Sequence, residues 1–302
     1  MRLAAPLHGL ASRPARCLLI GLCSTMPLHA ETSVTHWAPS AISSPLFESH
    51  GAFDYARDDF YFVRSSRAFR GWRIMVSHCG ADGWETPVDA SFAGDGVEAD
   101  PFITPDGKHL YFISTRSTDG RRHADLDIWS MDRQADGKWG EPERLPAPVN
   151  SRSQEWFPRP SADGWLYFGS GRAGGFGKTD IWRARQDASG KWRVENAGPA
   201  INTAGDEYEA LPSPDGRRLL VEADGYYMAT FENGHWSPRK KLGPDVNVNG
   251  TEIGAAFSPS GKSLLFARDS KGPLSGEFYL WQPDGPEAWP PVCRARQDDP
   301  AA

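Results

Sequence analysis

The sequence predicts an all-β fold, a β-propeller of five four-stranded blades, and three observations carry that prediction. The 302 residues include 31 Gly, 25 Pro and 12 Trp, a density of turn formers and strand-favouring aromatics that speaks against long helices. One theme returns five times, starting near residues 48, 98, 155, 207 and 252, at spacings of 50, 57, 52 and 45. Inside each return the order strand, tight turn, strand is repeated, as stacked supersecondary units require. A β-sandwich would also explain short strands, but not the recurring distance from an acid to its turn.

Residues 1–30 read as an export signal peptide. Arg2, Arg13 and Arg16 give a positive start without acids, residues 17–26 form a short apolar run, and Ala30 is small enough for a cleavage site. The run is too short for a membrane span and nothing later reaches the length. Cys23 sits where a lipoprotein would be anchored, but bulky Leu22 before it disfavours that. Removing this segment leaves 30 basic against 39 acidic residues, so the net charge moves from −6 to −9. An acidic chain of this kind lacks the basic face that nucleic acid requires. Only Cys79 and Cys293 remain, and in an oxidising compartment they are the candidate disulfide. Residues 31–302 are expected to be one domain, periplasmic or secreted, and a monomer.

The blades can be justified in order. The first unit begins at Glu48 and keeps its strand (residues 48–63, ESHGAFDYARDDFYFV) but loses the Pro-Asp-Gly turn. The second (98–116, EADPFITPDGKHLYFISTR) and third (155–172, EWFPRPSADGWLYFGSGR) are the fullest copies. The fourth (207–223, EYEALPSPDGRRLLVEA) and fifth (252–268, EIGAAFSPSGKSLLFAR) follow the same scheme. In each, a half-buried segment enters a tight reversal and leaves as an apolar strand. A third strand follows a Gly-rich loop, as at Asp127–Ser130, Asp180–Arg183 and Phe278–Trp281. Then comes a polar turn with a Trp: Trp84, Trp139, Trp192, Trp236 and Trp289. Pro shortly after most of them suits an outer edge strand, where a missing N–H is tolerated. Six blades would need a hidden unit, for which residues 31–47 are too short. Two segments compete to close the ring: residues 289–292, or residues 37–39 crossing over from the N-terminus. Either way the first and last blades are neighbours, which brings Cys79 towards Cys293.

The motif E-x-x-P, DG-x-x-LYF-x-S-x-R, DIW, G-x-W-x-x-P resembles the WD40-like repeat of TolB-type periplasmic propellers. It is also similar to the propeller part of OmpA-related envelope proteins. The resemblance covers about residues 44–293 and is most specific in blades two and three. It implies export, a propeller, and protein–protein work in the cell envelope. No OmpA-type peptidoglycan-binding domain or TolB-like N-terminal domain accompanies it here.

Several motifs imitate chemistry without its context. Gly169, Gly171 and Gly174 satisfy G-x-G-x-x-G, but a strand rather than a helix follows. No G-x-S-x-G nucleophile elbow and no H-E-x-x-H occur. Asp127 and Asp180 are expected to brace the neighbouring loop through backbone hydrogen bonds. The repeated acids Glu48, Glu98, Glu155, Glu207 and Glu252 leave two readings open. Inner strands line a propeller's channel, so five carboxylates could ring one mouth and bind a cation or a cationic peptide segment. Alternatively each Glu accepts backbone N–H bonds and pins blade to blade. No cofactor is expected, apart from a cation that the central channel would admit.

The function these readings favour is an exported, non-catalytic platform for an envelope protein or peptide. The alternative is a carbohydrate-active or other hydrolytic five-bladed propeller, which needs paired carboxylates beside a sugar-binding cleft. A deep groove with two unpaired carboxylates near Trp or Tyr would favour the enzyme.

Overall fold

Five antiparallel sheets, each counted from its inner strand outward, make the five blades. In the computed structural model, which describes residues 34–118, 125–269 and 275–293, no helix occurs among the described residues. The expected signal peptide, including Cys23, lies outside them. Blade 1 runs Phe47–Asp54, Asp59–Ser65, Arg73–Gly80, with Gly83–Trp84 and Val88–Asp89 on its outer edge. Blade 2 runs Glu98–Ile103, His109–Ser114, Asp127–Asp132, Glu143–Arg144, and blade 3 Glu155–Pro160, Leu166–Ser170, Asp180–Gln186, Trp192–Asn196. Blade 4 runs Glu209–Pro212, Arg218–Ala223, Gly225–Glu232, edged by His235–Trp236 and Lys240–Lys241. Blade 5 runs Ile253–Phe257, Leu264–Asp269, Gly276–Trp281. The inner strands touch one another in cyclic order, the first also meeting the fifth.

The apolar second and third strands supply the core between blades. Phe60, Phe62, Phe112, Phe168 and Phe266 are fully buried, as expected for side chains packed between two sheet faces. The recurring Trp has a bonding reason. Trp139 Nε1 donates to Tyr61 Oη of the preceding blade at 3.1 Å, and Trp236 Nε1 to Tyr167 Oη at 3.3 Å. Each such bond ties a blade's outer edge to its neighbour and satisfies two otherwise buried polar tips. Asn150, Asn202 and Asn247 form a second repeated clamp. Asn150 Oδ1 accepts from Ile128 N at 2.8 Å while its Nδ2 donates to Ile128 O at 2.9 Å, and Asn202 treats Ile181 likewise.

Closure uses the N-terminal strand. Val34–His36 pairs with Gly276–Trp281, and Trp37 N extends the ladder by donating to Phe278 O at 2.9 Å. Of the two closing segments foreseen, the N-terminal one therefore latches the ring. Residues 289–292 form no strand; Trp289 packs its ring 5.5 Å from that of Phe53 and donates to Tyr55 Oη at 2.7 Å. Cys79 and Cys293 are joined by a disulfide with Cα atoms 5.2 Å apart at a sequence separation of 214. Asp180 braces its loop as expected, accepting from Phe176 N and Gly177 N, whereas Asp127 is gripped by the Arg144 side chain of the outer strand with bonds of 2.6 and 2.7 Å.

Candidate functional site

The five repeated acids are all buried to within 1% of full, and their partners come from the chain around them. Glu155 accepts from Ser151 N at 3.2 Å, Ser151 Oγ at 2.6 Å, Ser170 Oγ at 3.0 Å and Arg172 Nη2 at 2.9 Å. Glu48 repeats this with Ser44 and Arg64. Glu98 does so with Gly94, Ser114 and Arg116, and Glu207 with Thr203 and Arg239. Glu252 accepts from Val248 N at 2.8 Å. In every blade the carboxylate holds the loop four residues before it, the segment that arrives from the preceding blade. These are contacts of the kind the pinning alternative describes, although Glu252 Oε2 is buried without a hydrogen-bond partner.

Two residues further along, the inner strands do something else. In four blades the ladder is interrupted by a bulge, between Ser49 and Ala52, Ala99 and Phe102, Trp156 and Arg159, and Ile253 and Ala256. The bulged residue adopts a left-handed backbone: His50 at φ 55°, Asp100 at 56°, Phe157 at 48° and Gly254 at 65°. For non-glycine residues that conformation costs of order 1 kcal/mol or more and concentrates where a side chain must be re-aimed. Gly254 is forced for another reason, since a Cβ there would sit 2.7 Å from the backbone of His50.

The re-aimed side chains form a buried polar cluster. His50 Nε2 lies 3.2 Å from Asp100 Oδ1, and the imidazole stacks on Phe157 at 5.1 Å. Asp100 Oδ2 accepts from Phe157 N at 2.9 Å. Arg159 Nε donates to Glu209 Oε1 at 2.7 Å, and Glu209 Oε2 accepts from Ala255 N at 3.3 Å. Glu209 lies directly opposite Glu222 in the blade 4 ladder, a placement that puts Cβ atoms about 5 Å apart. Glu222 is 8% exposed and its Oε2 has no hydrogen-bond partner, as is true of the Tyr226 hydroxyl.

Burial and charge set the protonation states. Burial, helped by Arg159, pushes His50 down to about 3, so the ring is neutral. Asp100 is pushed up to about 7 by burial, against the pull of Arg159. Glu222 is raised well above the ordinary carboxylate range by burial and by neighbouring Glu209 and Asp100. Three carboxyls thus share one guanidinium, which Glu209 already occupies. A buried unpaired carboxylate is costly enough that the group keeps its proton instead, so Glu222 is an acid at neutral pH and Asp100 is divided between its two forms.

The cluster separates two mouths of the channel. On one side lies a proline-rich hollow of about 450 Å³ reached by Arg159, with Pro101, Pro160, Pro212 and Pro259 in its wall. On the other lies a pocket of about 200 Å³ whose floor holds His50, Asp100 and Glu222 and whose walls include Phe69, Trp72, Trp156 and Tyr208. Trp72 and Trp156 meet edge to face at 6.0 Å. Among the described residues no group of three or more His, Cys, Asp or Glu is placed to hold a metal ion.

No known family profile and no curated sequence matches this chain. Solved structures do match in fold. A family 117 glycoside hydrolase from Zobellia galactanivorans is 12% identical over 87% of this chain and 94% of its own, with a TM-score of 0.51. A gluconolactonase from Xanthomonas campestris is 12% identical over 83% and 90%, TM-score 0.49. A prolyl endopeptidase is 16% identical over 77% of this chain, which spans 32% of its length, TM-score 0.43. These likenesses establish the propeller and nothing finer; the likeness to TolB-type and OmpA-related propellers is not among them. The expectation of a non-catalytic platform is nevertheless corrected. The family 117 glycoside hydrolase, which shares the fold at a TM-score of 0.51, is an enzyme, and one mouth presents two carboxyls beneath Trp and Tyr walls. Of the two unpaired carboxylates that the enzyme reading asks for, only Glu222 has an unpartnered oxygen; Asp100 is met by His50 Nε2 and Phe157 N, and neither acid is one of the five repeated Glu.

Proposed function

We propose that this protein is a hydrolase whose active site is the mouth floored by Asp100 and Glu222, acting on a carbohydrate or a similar polyhydroxylated substrate. The observation that carries the reading is Glu222: a buried carboxyl with an unpartnered Oε2 at the floor of an aromatic pocket, beside a second carboxyl. Groups whose environments separate their proton affinities divide acid from base work. Glu222, held protonated, gives its proton to the leaving oxygen as the bond to the departing group breaks. Asp100, ionised in part near neutrality, takes a proton from the attacking water, whose oxygen forms the new bond. Solvent then returns the two carboxyls to their starting states. Arg159 and Glu209 hold the cluster from beneath, and His50 positions Asp100 as a neutral partner. Trp72, Trp156 and Tyr208 offer faces on which a sugar ring can stack.

Release of 4-nitrophenol from a panel of glycosides, and of reducing ends from polysaccharides, tests the reading. Wild type should turn over at least one substrate while Glu222→Gln and Asp100→Asn do not; a panel left intact by folded wild type counts against it.

Export supports the same picture. The leader-like residues 1–30, the repeat's resemblance to TolB-type periplasmic propellers, and the Cys79–Cys293 disulfide all favour an oxidising compartment outside the cytoplasm. There the enzyme would work as a monomer on material of the cell envelope or its surroundings.

A further inference from the structure

The pocket over Glu222 has an electrostatic composition that a neutral sugar does not require. Asp100, Glu209 and Glu222 are each at least nine-tenths buried and face a single guanidinium, Arg159, whose Nε is already bonded to Glu209 at 2.7 Å. The other polar groups here add no cation: His50 from blade 1 and Tyr208 from blade 4 line the pocket, and Tyr226 of blade 4 and Glu252 before blade 5 interact electrostatically with the cluster. Three buried oxygens of the cluster are left without partners, Glu222 Oε2, Glu252 Oε2 and the Tyr226 hydroxyl. Above them stand Trp72 and Trp156, with ring planes at 62° to each other. Aromatic faces set at an angle around a small space, over a carboxylate, are what attracts an ammonium group, because both the ring quadrupoles and the acid favour positive charge once water is displaced.

We infer that this mouth selects a cationic head group, so that the substrate carries an ammonium on the unit entering the pocket, a glucosamine residue being the simplest carbohydrate example. The inference rests on the reading of this mouth as the substrate site. The ammonium supplies the charge that the cluster lacks, and its arrival draws Asp100 and Glu222 towards their ionised forms. Binding therefore releases protons and tightens as pH rises, with His50 neutral throughout and Arg159 held by Glu209. A substrate ammonium beside Asp100 sharpens its role as base; Glu222 keeps its proton longer because Glu209 lies directly opposite it.

Choline and its neutral isostere 3,3-dimethylbutan-1-ol separate charge from shape, and choline's charge does not change with pH. In calorimetric titrations of the whole protein, choline is expected to bind at least tenfold more tightly than the isostere. The gap should widen between pH 6 and pH 8, with protons released to the buffer. Glu222→Gln and, separately, Trp72→Ala should each shrink it; circular dichroism confirms that the variants are folded. Equal affinities for the pair, or no binding of either at millimolar concentration, overturn the inference. The two readings fail separately. Turnover of neutral glycosides with no preference for amino-bearing ones removes the cationic selectivity and leaves the hydrolase, whereas choline binding with no turnover of any substrate does the reverse.

Discussion

Two sets of acids lie close together on the inner strands and on the second strand of blade 4, and they are answered in opposite ways. The repeated set, typified by Glu155, is buried and answered: two hydroxyls, a backbone N–H and a guanidinium meet one carboxylate. The unrepeated set, Asp100, Glu209 and Glu222, is just as buried but short of cations, and one of its oxygens has no partner. The first arrangement stabilises because, as at Glu155, both carboxylate oxygens are met by donors. The second retains free energy in shifted proton affinities, which is where catalytic groups are found. In this propeller the repetition marks scaffold, and departures from it mark chemistry.

The contrast can be broken most severely at Glu222. Glu222→Gln should lower turnover by about 10² to 10⁴, the usual contribution of a positioned acid, while its melting temperature stays level or rises because the unfolded chain loses an ionisation that burial disfavours in the folded one. Steady-state rates and calorimetry on the same preparation read both. The counterpart, Glu155→Ala, leaves Arg172 buried without its partner and should cost about 3–5 kcal/mol of stability in urea unfolding, with whatever remains folded still active.

Smaller effects follow from pH. Asp100 takes its proton more tightly folded than unfolded, so its burden on stability is absent at low pH and grows as pH rises from its ordinary 3.8 to about 7. Asp100→Asn should therefore gain on wild type across that window, by at most about 1.4 kcal/mol per pH unit. His50 has the opposite sign: below its ordinary 6.5 the unfolded chain gains a proton that the folded ring refuses down to about 3. His50→Gln should gain on wild type as pH falls through that range. Thermal melts at fixed ionic strength separate the two slopes. Least severe is Gly254→Ala, whose new methyl meets the His50 backbone; it should cost about 1–3 kcal/mol, as overpacking does, and misplace His50 enough to alter the pH profile.

Much of the fold was legible because a propeller writes itself five times. The Glu-to-turn spacing, the apolar second strands and the edge Trp gave blade number and boundaries, and the position of the fifth blade beside the first brought Cys79 to Cys293. The choice of closing strand was not legible, since residues 37–39 and residues 289–292 carry the same kind of sequence; the strand that pairs lies just before the first of them, at Val34–His36, with Trp37 extending it to Phe278.

The site was harder to see for the same reason. Repetition drew attention to Glu48 and its equivalents, although a residue kept in every blade serves what every blade needs. The usable signal was exception. Glu222 stands in an apolar second strand where the other blades have Val63, Ile113, Gly169 and Ala267. Arg159 occupies an inner-strand position filled elsewhere by Ala52, Phe102, Leu211 and Ala256. A charge on a strand that the repeat says is buried is informative because it must be paired, protonated or used. The bulges that turn His50 and Asp100 inward left no such trace, since nothing in those side chains announces a left-handed backbone.

Initial rates for wild type, Glu155→Gln and Glu222→Gln on one hydrolysable substrate, compared at equal folded fraction, test the account most directly. It predicts a folded but inactive Glu222→Gln beside a less stable Glu155→Gln that works at the wild-type rate. Undiminished turnover by Glu222→Gln, or loss of activity in the Glu155 variant alone, would contradict it.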